Sequence, residues 1–162
     1  MDILKIAKDI EKQGVEHYRE LSKSVKSKQL QGIFKLLADE EQRHYRLFDA
    51  LGSTLKGPEP EQSDIIAKSK EVFESFIKDF AVPDNDDSLE AAYQKAIELE
   101  KNSISFYKYA LGETEDQNEK KVIQIILDEE GKHIKIIESI IEFVRKPQQW
   151  LENAEWRHLD EY

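Results

Sequence analysis

Residues 39–44 read Asp-Glu-Glu-Gln-Arg-His, and residues 128–133 read Asp-Glu-Glu-Gly-Lys-His. Glu41 and His44 thus recur as Glu130 and His133, at an offset of 89. The same offset carries Glu11 and Tyr18 onto Glu100 and Tyr107. Both Glu-x-x-His pairs sit within apolar runs. Leu30, Phe34 and Leu37 precede the first, with Phe48 and Leu51 after it; Ile123 and Ile126 precede the second, with Ile137, Ile140 and Val144 after it. Apolar residues spaced by three and four fall on one face of a helix. Each pair therefore occupies the middle of a stripe whose other members belong in a core.

The stripes of the other two repeat members extend the pattern. Leu4, Ala7, Glu11, Gly14, Tyr18, Leu21 and Val25 define a helix from about residue 2 to 26, and the second helix runs from about 28 to 51 with Gly52 as its stop. Gly57-Pro58-Glu59-Pro60 interrupts the periodicity. A shorter amphipathic segment, 65–80, groups Val72, Phe73, Phe76, Ile77 and Phe80. After Pro83 and a run of acidic residues, Asp87 and Glu90 have capping spacing for a helix carrying Tyr93, Ala96, Glu100, Ser103, Tyr107 and Ala110, which ends at Gly112. Thr114 and Gln117 have capping-box spacing for the last long helix, closed by Pro147. Four long helices in two similar pairs, with a long excursion between them, predict an all-α antiparallel four-helix bundle with one crossover connection containing an extra helix. Residues 1–146 form this bundle, and 147–162 an aromatic tail with Trp150, Trp156 and Tyr162 that is expected to dock on its own bundle or on a partner chain.

Composition agrees and excludes several classes. Charged residues are 36% of the chain, with six glycines and four prolines among 162 residues, which suits long helices with few turns. A formal charge of −10 disfavours nucleic acid or an anionic membrane as partner. The absence of cysteine removes disulfides, thiolate catalysis and cysteine-ligated metal clusters. With no apolar run of spanning length and an acidic start lacking a signal-peptide pattern, the expected setting is soluble and cytoplasmic.

The charges at core positions carry the functional reading. Burying a lone carboxylate is costly, and four together repel one another. Two divalent cations would compensate them. Residues i and i+3 share a helix face, so Glu41 with His44, and Glu130 with His133, can reach a common site. One Glu from each of two helices plus Glu-x-x-His from each of the other two is the known pattern of di-metal carboxylate bundles. The candidate ligands are Glu11, Glu41, His44, Glu100, Glu130 and His133, with Glu41 and Glu130 bridging. Oxygen-rich ligation with one imidazole per ion suits iron or manganese better than a structural zinc. Tyr18 and Tyr107 either hold the terminal carboxylates by hydrogen bonds or are core aromatics with satisfied hydroxyls. Gly14 and Ser103 either leave room beside the metals for dioxygen or peroxide or serve helix packing. Asp39 and Asp128 either back the opposite histidines or belong to a solvated face.

Residues 3–144 resemble the ferritin-like superfamily and, within it, the rubrerythrin-like group. Glu11-Lys-Gln-Gly-Val-Glu-His-Tyr18 and Glu100-Lys-Asn-Ser-Ile-Ser-Phe-Tyr107 are similar to the family's Glu-bearing helices, and Glu41-Gln-Arg-His44 and Glu130-Gly-Lys-His133 to its Glu-x-x-His helices. The ending Trp150-Leu-Glu-Asn-Ala-Glu-Trp156 is similar to tails of single-domain members. The resemblance implies a non-haem centre of two iron ions, or manganese or a mixed pair, oxidised by hydrogen peroxide or dioxygen. An external donor such as a separate rubredoxin or flavoprotein would re-reduce it. The aromatic tail, for its part, leads to the expectation of a homodimer, and the charge to that of no nucleic acid or membrane partner. The alternatives are an iron-handling ferroxidase without peroxidase turnover and a metal-stabilised structural bundle. Two departures stand out: full-length rubrerythrins carry a Cys-rich rubredoxin domain whereas these 162 residues contain no cysteine, and Ser103 stands where they carry a further glutamate associated with iron movement during peroxide reduction.

Overall fold

The computed structural model describes residues 2–53, 60–79 and 83–153, without the side chains of Ile77 and residues 151–153. Phe80, Gly57-Pro58-Glu59, Trp156, His158 and Tyr162 lie outside the described residues. The helices are α1 (Ile3–Ser24), α2 (Lys28–Ser53), α3 (Ile65–Asp79), α4 (Asp87–Glu113), α5 (Gln117–Arg145) and α6 (Pro147–Asn153). All regular structure among the described residues is helical, the all-α ferritin-like bundle expected. None of these helices is long and apolar enough to cross a membrane.

Caps account for several boundaries that spacing misplaced. Asp86, not Asp87, caps α4, its carboxylate accepting from the Leu89 amide. Asp116 caps α5 through the Glu119 amide, while Thr114 is the C-cap of α4. In both cases an Asp one or two positions away offers a short acceptor to the free amides of the first turn. Gly52 lies inside α2, which runs to Ser53. Pro147 closes α5 and also opens α6, since a first-turn residue needs no amide donor. Asp84 ties the bundle's two halves together, accepting from the Lys26 and Ser27 amides at the α1–α2 turn.

Helices α1 and α2 form one hairpin and α4 and α5 the other, with α1 packed on α4 and α3 laid against α2 and α5. Every stripe residue of α4 and α5 is buried, and on α1 and α2 only the outermost, Leu4 and Leu51, are partly open. The apolar core falls into two clusters. One contains Leu30, Phe34, Tyr93, Ile137 and Phe143, and the other Phe48, Tyr107, Ile123 and Ile126. Phe76 of α3 meets Phe143 edge-on at 4.7 Å between ring centres. Trp150 of the tail stacks on Phe143 at 4.5 Å and joins the larger cluster, so this part of the tail docks on its own bundle. Between the two clusters lies a layer of buried charge.

Candidate metal centre

Four contacts fix how the helices face one another. Tyr18 on α1 reaches Glu100 on α4, and Tyr107 on α4 reaches Glu11 on α1. On the other side His44 of α2 reaches Glu129 of α5, and His133 of α5 approaches Glu40 of α2. Residue numbers rise on one helix as they fall on the other, so both pairings are antiparallel and obey the approximate twofold relation of the sequence repeat.

The six core charges converge. Glu11, Glu41, His44 and Glu130 each offer an atom within 4.8 Å of the others, and so do Glu41, Glu100, Glu130 and His133. Glu41 and Glu130 belong to both groups, while Glu11 and His44 belong to one and Glu100 and His133 to the other. His44 Nδ1 lies 2.9 Å from Glu130 Oε1 and 3.5 Å from Glu11 Oε2. His133 Nδ1 lies 3.1 Å from Glu41 Oε1 and 3.3 Å from Glu100 Oε1. The two imidazoles stack nearly parallel, 5.7 Å between centres.

All six side chains are almost wholly buried, and burial with the neighbouring charges shifts the protonation of Glu41, His44, Glu100, Glu130 and His133. Burial first, then repulsion from Glu100 and the other carboxylates, pushes Glu41 and Glu130 well above the usual carboxylate range. Burial also raises Glu100, but the Glu130 carboxyl beside it and the facing His133 outweigh burial and hold this carboxyl below that range. Burial lowers both imidazoles, yet the facing carboxylates reverse the sign: Glu11 foremost holds His44 well up, and Glu100 foremost brings His133 to about 10.

The donor set also fits a pair of cations. Glu11 Oε2, Glu100 Oε2, both Glu130 oxygens and His44 Nδ1 are buried without a hydrogen-bond partner. His44 Nδ1 and Glu130 Oε1 are close but not aligned as donor and acceptor. Close, unaligned, unsatisfied atoms have the arrangement of groups directed at a shared third atom. Buried polar groups normally find partners, so this concentration of unpartnered atoms is what a metal-binding cluster would present.

Carboxylates face the outer nitrogens of both histidines. His44 Nε2 donates to Glu129 Oε2 at 2.7 Å, while His133 Nε2 stands 3.6 Å from Glu40 Oε1, an ion-pair distance rather than a hydrogen bond. Asp39 and Asp128 do not have this role. Both are exposed, and Asp128 accepts from Gln124 at 3.0 Å, so the solvated-face reading holds for them. Glu40 and Glu129 were missed although they recur at the same offset. A contact across to the opposite helix leaves no periodic mark on its own.

A family model described as Rubrerythrin matches residues 2–141. The chain belongs to the rubrerythrin family. Comparison with curated proteins and with solved structures gave no match.

The tyrosines take the hydrogen-bonding role, and they do so crosswise for a rubrerythrin-family bundle with internal symmetry. Tyr18 Oη donates to Glu100 Oε1 at 2.5 Å and Tyr107 Oη to Glu11 Oε1 at 2.6 Å. Burial, then the neighbouring carboxylates, keeps both phenols protonated. At Gly14, an added Cβ would lie 3.0 Å from Glu41 Oε2. Gly14 therefore makes room for the Glu41 carboxylate itself. Ser103 is buried with its hydroxyl given to the Leu99 carbonyl at 2.9 Å. Both residues line a cavity of about 50 Å³ between α1 and α4, with Glu41, Glu100 and Tyr18 also in its wall. His17 lines it too and binds the Ala92 carbonyl at 2.9 Å, a link between α1 and α4.

Proposed function

We propose that this chain is a di-iron oxidoreductase of rubrerythrin type, reducing hydrogen peroxide or dioxygen with electrons from an external donor. The two overlapping groups of buried Glu and His side chains carry the reading. In it, Glu11 and His44 would hold one ion and Glu100 and His133 the other, with Glu41 and Glu130, which belong to both groups, shared between them. Iron bound there would supply the redox equivalents that amino-acid side chains lack.

The remaining chemistry belongs to the chain. Tyr18 and Tyr107 fix one oxygen of each terminal carboxylate and leave the other free for a cation. With Nδ1 facing the cluster, each histidine keeps its proton on Nε2, directed at Glu129 or Glu40. The cavity beside Glu41 and Glu100 has room for one or two water-sized molecules, which suits a two-oxygen oxidant and excludes a bulky organic one. Reducing one peroxide to two waters takes two electrons and two protons. The test is anaerobic loading with ferrous ion followed by peroxide. Two irons per chain and one peroxide consumed per two ferrous ions oxidised are expected; no binding, or no oxidation, overturns the reading.

One observation favours a second reading. Ser103 places a short hydroxyl, already bonded to Leu99, where full-length rubrerythrins have a further carboxylate. A ferroxidase that passes its iron on needs no peroxidase turnover. Oxidation that proceeds once and stops despite a supplied reductant, with iron then leaving the protein, distinguishes it.

A further inference from the structure

The approximate twofold symmetry fails at one residue in contact with both halves of the site. Arg43 corresponds by the repeat to Lys132. Its Nε donates to Glu40 Oε2 at 3.1 Å, and its Nη2 forms a short ion pair with Glu129 Oε2. Glu129 holds His44, and Glu40 faces His133. One guanidinium therefore joins the carboxylates behind both histidines. Its third contact, from Nη1 to the Glu61 carbonyl at 3.3 Å, reaches the crossover coil. The same coil supplies Ser63, whose hydroxyl donates to Glu40 Oε1.

We infer that Arg43 is a positioning residue that couples the two histidines, with Ser63 anchoring the His133 side to the crossover. Planarity matters. A guanidinium presents several donors in a fixed fork and can bind two carboxylates at once in set directions, whereas an ammonium is a point charge on a flexible stem. Loss of the fork frees Glu129 and Glu40 together, so His44 loses the carboxylate that its Nε2 donates to, and His133 the fixed carboxylate that its Nε2 faces at 3.6 Å. Lys132, in the corresponding place on α5, makes no such bridge among the described contacts. The coil at 61–63 thereby becomes part of the site's support, although it lies outside the four bundle helices.

The inference rests on reading His44 and His133 as metal ligands. Its test uses the full-length chain loaded with cobalt(II), following the hyperfine-shifted Nε2–H signals of the two histidines and the cobalt affinity by chelator competition. Arg43→Gln should speed solvent exchange of both Nε2–H protons and weaken binding by about 10- to 100-fold, the range for lost support behind a metal-bound histidine. Ser63→Ala should act on the His133 proton alone, Arg43→Lys should restore at most one of the two, and Lys132→Gln should change neither. A change confined to His44 in Arg43→Gln, or no change at either, would overturn the coupling. If Arg43→Gln does not fold, Arg43→Lys and Ser63→Ala still decide between these outcomes. If the wild-type chain takes up no cobalt, the metal reading fails; the nitrogen spectra of the two imidazoles in the metal-free variants then decide the positioning role separately.

Discussion

Tyr18 on α1 donates its hydroxyl to Glu100 on α4, at 2.5 Å, and not to Glu11 two turns away on its own helix. Tyr107 returns the bond to Glu11. Each glutamate at the α1–α4 contact is therefore held by a residue of the other repeat, which makes the two halves interdependent.

Removing either hydroxyl should cost similar amounts. Tyr18→Phe or Tyr107→Phe takes the phenol donor from a buried carboxylate, a loss of about 1.5–3 kcal/mol for a hydrogen bond to a charged group. Denaturant unfolding of the metal-free variants measures it. Metal affinity should fall in both, because the freed oxygen of Glu100 or Glu11 can swing away from its set position.

Two glycines near the centre should respond in opposite ways. Gly131 on α5 has open space where a Cβ would go. Gly131→Ala should stabilise the fold by about 0.5–1 kcal/mol, the usual gain within a helix, and leave metal uptake intact. At Gly14 the same methyl would press on the Glu41 carboxyl and force it aside. Gly14→Ala should cut metal affinity sharply whatever its effect on stability. Chelator competition and thermal melts on the two variants separate the effects.

The sequence made the stripes legible because burial follows helical period: all six charged core residues lie where the apolar spacing puts them. Their convergence was legible too, since a repeat that places Glu and His at equal offsets implies symmetry in space. What was not legible depended on direction between helices. The choice of Glu40 over Asp39 turns on about 100° of rotation around a helix axis and on what stands opposite. The crosswise tyrosines and the Arg43 bridge likewise need the register of one helix on another, which no spacing within a helix encodes. The caps failed locally, where Asp86 and Asp116 competed with neighbours of similar propensity.

Neutralising a bridging carboxylate should affect the metal-free and metal-loaded proteins differently. Burial and the surrounding carboxylates already favour a proton on Glu41, and Glu41→Gln resembles that neutral form. Metal-free stability at pH 7 should therefore change by no more than about 1 kcal/mol, the net scale of a single neutral hydrogen bond. The rise in melting temperature on adding ferrous ion, expected for any ligand that binds only the folded state, should be largely lost. A large destabilisation of the metal-free variant would show Glu41 to be ionised there and essential to the fold.

Acid and alkali should weaken the metal-free protein through different groups. Burial lowers the His133 pKa, but Glu100 and its neighbours raise it more, from 6.5 to about 10. The stabilisation from this charged imidazole is fully present below 6.5 and is lost as pH rises through about 10. Glu40 shifts the other way. Burial raises it, but the His133 and Ser63 contacts, with Arg43, bring it from 4.5 down to about 2. Its contribution is present above 4.5 and is lost as pH falls through about 2. Between 4.5 and 6.5 both of these contributions are fully present, to be read from unfolding free energies across pH in the wild-type chain and in Glu40→Gln. Metal binding must expel the His133 proton, so affinity should climb with pH throughout the interval from 6.5 to about 10 and release protons at neutrality. Calorimetry in buffers of different ionisation enthalpy measures that release. Binding at pH 7 without proton release would mean that His133 is already neutral before metal arrives, and that its apparent partners among the carboxylates do not hold it charged.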